Sequence, residues 1–270
     1  MAGAAETAAT GLNAAYFMME VNAHNLANQK TAAFGRTTVV NATLTYPHII
    51  SGTGGGIGQR ALGVPTMQVG AGVRTAATLR DMKRGLPKPT GNSLDVYVNG
   101  PGYFRIDLGQ GRFGYTRAGK LKLDEDGVLR TATDYALSDN ITLNMAVYSS
   151  VLIDKSGRVF GVDNTQVGNA RYQELGAITL WNFTNPQGLE PQEDTVLIEG
   201  SESGTVVQGT PGESGFGTIQ QGYVEQSNVN PPAELIEAVS TQQMAKSLSS
   251  IISLAERTEN DALDKIASAA

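Results

Sequence analysis

The chain contains no cysteine. Disulfides, thiolate nucleophiles and zinc sites built on sulfur are therefore excluded. Histidine is almost as scarce: His24 and His48 are the only two, they lie far apart, and neither adjoins a nucleophile motif. A solitary His reads as a capping or packing residue. A basic excess is missing as well. The formal net charge is −6, whereas a nucleic-acid footprint needs a basic face. No apolar run is long enough to span a bilayer. The first ten residues have neither the basic start nor the apolar centre of a secretory signal peptide. Aromatic residues make up 6% of the chain against 32 glycines, which points to many turns and modest side-chain bulk, as in all-β modules.

What the chain does have is regular spacing at both ends. After Pro232 neither Gly nor Pro occurs, and Leu235, Val239, Leu248, Ile252, Ala255, Ala262 and Ile266 recur mostly three, four or seven apart. The pattern predicts an amphipathic or coiled-coil helix of about 35 residues, ~50 Å long. Ser227, Asn228 and Asn230 ahead of it can accept from its first free N–H groups. At the other end Ala5, Leu12, Met19 and Leu26 lie seven apart, flanked by Ala8, Ala15, Tyr16 and Ala23. Asn22, Asn25 and Asn28 favour caps and turns and mark the exit of that helix. The expectation is a pair in which Leu12, Met19 and Leu26 meet Leu235, Val239, Leu248 and Ile252. The alternative is two surface helices packed separately on the body between them. From Val224 onward seven acids face three bases, the composition of a solvated helix face or of charge pairing between subunits.

The middle reads as β structure. Residues 36–75 form an extended, Gly-rich link. Its run Ser51-Gly-Thr-Gly-Gly-Gly-Ile-Gly58 lacks the Lys-Ser or Lys-Thr of a phosphate loop and the spacing of a dinucleotide fingerprint, so it reads as a flexible or closely packed loop. Over 76–222 short alternating runs are separated by turn signals. Leu121–Leu129 is predicted as a hairpin with a type I′ turn at Asp126-Gly127, and Val151–Val159 repeats the form. Asp124, Asp126 and Gly127 echo part of a calcium loop whose other ligands are absent. Trp181 reads as a core or interface anchor. No acid–base pair, nucleophile, cofactor or metal residue stands out. The fold class is mixed and mainly β: an all-β middle domain flanked by terminal helices that pair as a coiled coil, residues 1–35 and 223–270.

In this frame a set of short motifs occurs in order along almost the whole chain. They are Thr7-Ala-Ala-Thr-Gly-Leu-Asn-Ala14, Asn25-Leu26-Ala27-Asn28 with Thr31 and Phe34, and Thr90-Gly91-Asn92-Ser-Leu-Asp-Val96. Gly102-Tyr-Phe, Tyr115-Thr-Arg-Ala-Gly and Leu123-Asp-Glu-Asp-Gly follow. The last is Gly222-Tyr223-Val-Glu-Gln-Ser227-Asn228-Val-Asn230 with Glu234-Leu-Ile. Together they resemble the bacterial flagellar rod and hook family. Length, the segment Gln68–Val73 and the segment Asn182–Glu190 are most similar to its distal-rod branch, with the proximal-rod and hook branches as alternatives.

The resemblance implies a structural subunit, not an enzyme, with no cofactor and no nucleic-acid or small-molecule partner. It implies export by the flagellar apparatus without a cleaved signal. It further implies a periplasmic place in the basal body and helical self-assembly into a rigid shaft between motor and hook. Proximal rod proteins, the hook protein and the surrounding L- and P-ring proteins are the implied neighbours. Tyr46–Met67 resembles the insert that keeps the distal rod straight. The chain also departs from the family pattern. Gln243-Met-Ala-Lys246 replaces an Arg-Ala-Tyr-Glu-like stretch, Leu248 a polar residue and Pro231-Pro232 apolar ones. Ala33 stands where Gly is common and Gly35 where a base is usual.

Overall fold

The computed structural model describes residues 2–45, 48–49, 67–68, 70–144, 147–166, 168–193 and 195–268. They fall into two compact units. One comprises Met1–Leu26, Thr37–Leu79 and Pro231–Ala270; the other comprises Ala27–Arg36 and Arg80–Asn230.

The first unit holds both long helices. Helix α1, Ala2–Ala27, has 26 residues and is rich in Ala, the strongest helix former. Helix α2, Pro231–Ala267, has 37 residues and is ~55 Å long at 1.5 Å per residue. Its two prolines sit in the first turn, where the missing N–H would have no intrahelical partner. Two Thr- and Val-bearing strands, Thr37–Thr43 and Val73–Arg80, form a two-stranded sheet. The Thr10 hydroxyl on α1 accepts from the Val73 N–H at 3.2 Å, tying that sheet to the helix. Most of Tyr46–Met67, including the Gly cluster, lies outside the described residues. At its borders His48–Ile49 pairs antiparallel with Met67–Gln68. No described helix is long and apolar enough to cross a membrane.

Among the described residues the second unit is all β apart from two short 3₁₀ turns. Its main sheet has seven strands in the order Glu190–Pro191, Leu197–Ile198, Arg112–Thr116, Phe104–Gly109, Ala136–Leu137, Leu129–Thr131, Leu121–Leu123. A three-stranded sheet, Ser150–Ile153, Arg158–Val162 and Tyr172–Ala177, and the pair Val96–Asn99 with Thr218–Gln221 complete the framework. Inward positions alternate with more exposed ones along Phe104–Gly109 and Ser150–Ile153, as strand geometry requires. The core gathers Val96, Val98, Phe104, Leu121, Leu129, Leu137, Ile141, Leu143, Ile178, Leu180 and Ile219.

Trp181 lies in a second cluster with Tyr103, Tyr115, Phe183, Leu189 and Leu197. The Arg105 guanidinium sits 3.9 Å above its ring, so the residue is a core anchor. Both expected hairpins form, with Leu123 opposite Leu129 and Ile153 opposite Val159. Their turns differ from the I′ expectation. A type I′ turn needs positive φ at two central residues, and here only Gly127 (φ +77°) and Gly157 (φ +83°) have it. Each turn is a longer Asp-x-x-Gly loop: the Gly N–H donates to the Asp carbonyl, and the Asp N–H donates to the residue after the Gly. Asp124 and Asp154 also accept from the next N–H, at 2.8 and 2.6 Å, and from Arg130 and Arg158. These bonds hold both carboxyls below their ordinary range, the backbone N–H contributing most. The part of Asp124 that suggested a calcium loop is therefore occupied by the protein itself.

Candidate functional site

Two contacts define the helix pair. The Asn25 amide donates to Glu234 Oε2 at 3.1 Å. Gly11 lies against Leu248, whose Cδ1 would be 3.2 Å from a Cβ on Gly11. From Gly11 to Asn25 is two heptads forward on α1, and from Leu248 to Glu234 is two heptads backward on α2. The helices therefore run antiparallel. The more buried positions of α2 follow that contact line at alternating three- and four-residue steps: Glu234, Ala238, Thr241, Ala245, Leu248 and Ile252. Those of α1 do the same through Ala8, Gly11, Ala15, Met18, Asn22 and Asn25. Small side chains let two backbones approach closely.

The seam is thus made of small and polar residues more than of leucines. Leu248 and Ile252 lie on it, half-buried. Leu12, Met19 and Leu26 are also half-buried, beside the contact line and not at its centre. Leu235 and Val239 are off it: they are 52% and 54% exposed and share the outer surface of α2 with Ile236, Ile251 and Leu254. The spacing that selected them is helical, but it marks an outward stripe one position away from the seam. Asn22, Glu234 and Thr241, all buried, escaped sequence reasoning as seam residues because polar side chains give no hydrophobic periodicity. The three–four spacing of Ala8, Gly11, Ala15, Asn22 and Asn25 was the signal available.

Asn25 is fully buried. Its amide oxygen accepts from the Thr37 N–H at 2.9 Å, and its amide nitrogen donates to the Thr37 carbonyl at 2.8 Å as well as to Glu234. The side chain imitates a strand neighbour for Thr37 while holding the helix partner. Asn28 Oδ1 accepts from the Thr31 hydroxyl at 2.9 Å, the local capping expected of an Asn at a helix exit.

In the β unit the remaining motif residues bind three chain segments together. Phe34 is 2% exposed, with the Arg80 guanidinium 5.4 Å from its ring centre. Asn228 Oδ1 accepts from the Arg36 N–H at 2.6 Å, and its amide donates to the carbonyls of Asp81 and Lys83. Its own N–H donates to the Phe34 carbonyl. Ser227 accepts from the Val229 N–H. Below them Glu225 accepts from Arg117 Nε at 2.8 Å and from the Gly85 N–H at 3.0 Å. Arg117 spends its other donors on the carbonyls of Val98, Gly100 and Gly102.

Ala33, where a Gly is the family habit, has a left-handed φ of +56°. A Cβ on Gly35 would lie 2.8 Å from the Arg80 side chain, so the usual base at that position has no room while Arg80 covers Phe34. Gly91 and Asn92 belong to a separate turn, in which Asn92 accepts from the Leu94 N–H and donates to Asp95. Tyr223 is 38% exposed, and Asn230 is exposed directly before α2.

Comparison with known proteins bears on what these features serve. Residues 97–161 match the family model described as the flagellar hook protein FlgE/F/G D1 domain. The chain is 35% identical over 241 residues to the flagellar basal-body rod protein FlgG of Buchnera aphidicola subsp. Schizaphis graminum, covering 87% of this chain and 88% of that protein. To the protein of the same name from Caulobacter vibrioides it is 34% identical over 258 residues, covering 94% and 95%. Its likeness to the flagellar hook protein FlgE of Escherichia coli K12 is 39% over 84 residues, only 30% of this chain and 21% of that one.

Proposed function

The chain belongs to the family of flagellar basal-body rod proteins and is a structural rod subunit, and we propose that it polymerises helically with its own kind into the distal rod. The shaft so built carries torque from motor to hook. The observation that carries this reading is the surface of α2. Leu235, Ile236, Val239, Ile251 and Leu254 are each about half exposed or more, on a helix too long for a single partner helix to cover. Burying such side chains is worth ~1.5–3 kcal/mol each, so neighbouring copies that cover them gain stability together. A contact between unlike faces of identical subunits extends without closing, which produces a filament. Near full-length similarity to rod proteins, against the short match to a hook protein, favours the rod over the hook.

Assembly next to proximal rod proteins, the hook protein and the L- and P-ring proteins follows from the same reading. So does a periplasmic location reached through the flagellar export apparatus without a cleaved signal. Leu12, Met19, Leu26, Leu248 and Ile252 support the helix pair, and Leu235 and Val239 face the next copy. Electron microscopy of concentrated protein tests this. The wild-type chain is expected to form straight filaments, and Leu235→Glu/Val239→Glu to remain dispersed with unchanged monomer circular dichroism. Filaments of equal length from both would refute the role given to α2.

A further inference from the structure

Asn22 lies in the helix seam, 5% exposed, and its amide Nδ2 has no hydrogen-bond partner among the described residues. A buried donor left unmade is costly and rare in a folded chain. One turn further along α1, Asn25 presents the same amide to the same seam. It is fully served, by both backbone groups of Thr37 and by Glu234 Oε2 at 3.1 Å. Two like donors thus stand one turn apart on α1, and Glu234 serves only one of them.

The seam is built so that its helices can slide. Three- and four-residue steps alternate on both, so moving α2 by one turn toward the N-terminus of α1 brings the two patterns into step again. Glu234 then comes opposite Asn22, Ala238 opposite Met18, Thr241 opposite Ala15, Ala245 opposite Gly11 and Leu248 opposite Ala8. Each large side chain meets an alanine, and the rest of the line stays small. Asn25 keeps both of its bonds to Thr37, and the Asn22 amide gains Glu234. The slack for this movement lies in the first residues of α2, Pro231-Pro232-Ala233, of which Pro232 and Ala233 are exposed. A helix rises 1.5 Å per residue, whereas the extended form that proline favours rises ~3.1 Å. Unwinding these residues frees ~5 Å, about one helical turn. Glu234 then opens the helix, where an acid suits the dipole. The N–H groups of Leu235, Ile236 and Glu237 lose their helical acceptors, so the present register dominates in the isolated chain.

We propose that α2 has two registers on α1, one turn apart, in which Glu234 serves either Asn25 or Asn22. The slide carries the far end of α2 ~5 Å along α1. A surface that binds the outer stripe of α2 in one register better than in the other shifts the population toward it. Both registers belong to the single chain, with or without polymerisation.

Because the chain has no cysteine, Glu20→Cys/Ser253→Cys, at two exposed positions, takes one spin label on each helix. Pulsed electron spin resonance of this otherwise wild-type full chain at low concentration is expected to show a main separation and a less populated one longer by about 4 Å. Gly11→Val crowds Leu248, whose Cδ1 would be 3.2 Å from a Cβ on Gly11, whereas the second register places Ala245 there. In the labelled chain it is expected to make the longer separation the main one. Asn22→Leu, similar in size but without the amide, is expected to abolish the longer separation. It should also raise the urea midpoint of the far-ultraviolet helix band, because the present register no longer holds an unmet donor. A single separation that Gly11→Val leaves unmoved overturns the proposal. So does a lower midpoint for Asn22→Leu, since Asn22 would then be satisfied where it stands, as by a trapped water.

Discussion

The two units bury different things. The β unit encloses Phe104, Ile106, Leu129, Leu137, Ile178 and Leu180 almost completely, and its deeply buried ion pair of Arg117 with Glu225 is surrounded by backbone acceptors. The helical unit buries Ala8, Ala15 and Ala245 together with Asn22, Asn25, Glu234 and Thr241, while Leu235, Ile236, Val239, Ile251 and Leu254 face outward. At ~25 cal/mol per Å² of apolar area, the first arrangement stabilises itself. The second gains little from its own seam and most from whatever covers its outside. A protein can thus keep one region folded alone and hold another in reserve for its neighbours.

Substitutions that act on one region only are the sharpest way to separate them. Trp181, the single tryptophan, reports the β unit by fluorescence, and the far-ultraviolet helix band reports mainly α1 and α2. The largest loss is expected from Arg117→Ala, which leaves the Glu225 carboxylate buried without its partner. About 3–5 kcal/mol should disappear from the fluorescence-detected urea transition, and an unmoved midpoint would contradict the account of that pair. Asn25→Ala removes three hydrogen bonds at a fully buried site and should cost about 1–3 kcal/mol. That loss belongs to the helix band; a shift seen equally by fluorescence would mean that the two regions do not unfold separately.

Ala33→Gly should work in the opposite direction. It relieves a left-handed backbone at φ +56° and offsets the greater unfolded-state freedom of Gly, for a net gain of about 0.5–1 kcal/mol in the β unit.

The smallest effect is alkaline. Burial raises the Tyr103 phenol, and burial with the Glu199 hydrogen bond raises that of Tyr115. Raised phenols are protonated in the folded chain after the unfolded chain has begun to ionise. Their contribution is complete below pH ~10 and falls as pH rises beyond it. Tyr115→Phe should flatten that decline in a fluorescence-detected stability profile.

Much of the fold could be read from the residues because it rests on periodicity. The heptads of α1, the uninterrupted run after Pro232 and the alternation at Tyr103–Leu108 are local signals, and each produced the expected element. The seam was less legible. Leu235 and Val239 attract attention by hydrophobicity, yet a helix pair that packs through Ala, Gly and Thr leaves no such mark, and the apolar stripe of α2 stays exposed in the single chain. Glu225 and Arg117 are 108 residues apart, and no local pattern joins them. Asn228 reads as a helix cap from its neighbours alone. Its actual task, fastening 34–36 to 81–83, depends on strands that meet only in the folded unit. The Asp126-Gly127 turn was misread in kind because two residues were counted where the loop uses more.

The antiparallel seam also acts as a ruler. Gly11 opposite Leu248 and Asn25 opposite Glu234 fix a common scale on both helices. One residue inserted between Gly11 and Asn25 would turn everything beyond it by ~100° and carry one of these contacts off the line. Only a whole heptad added to both helices in step preserves the match. The exposed turn at Gly109–Gly111, where a Cβ on either glycine would meet nothing, has no such scale, and lengthening it costs mainly loop closure, about 0.6 kcal/mol per doubling. Changes in chain length are therefore steered toward that turn, which is also where a peptide tag or a reporter can be grafted with the helix register intact.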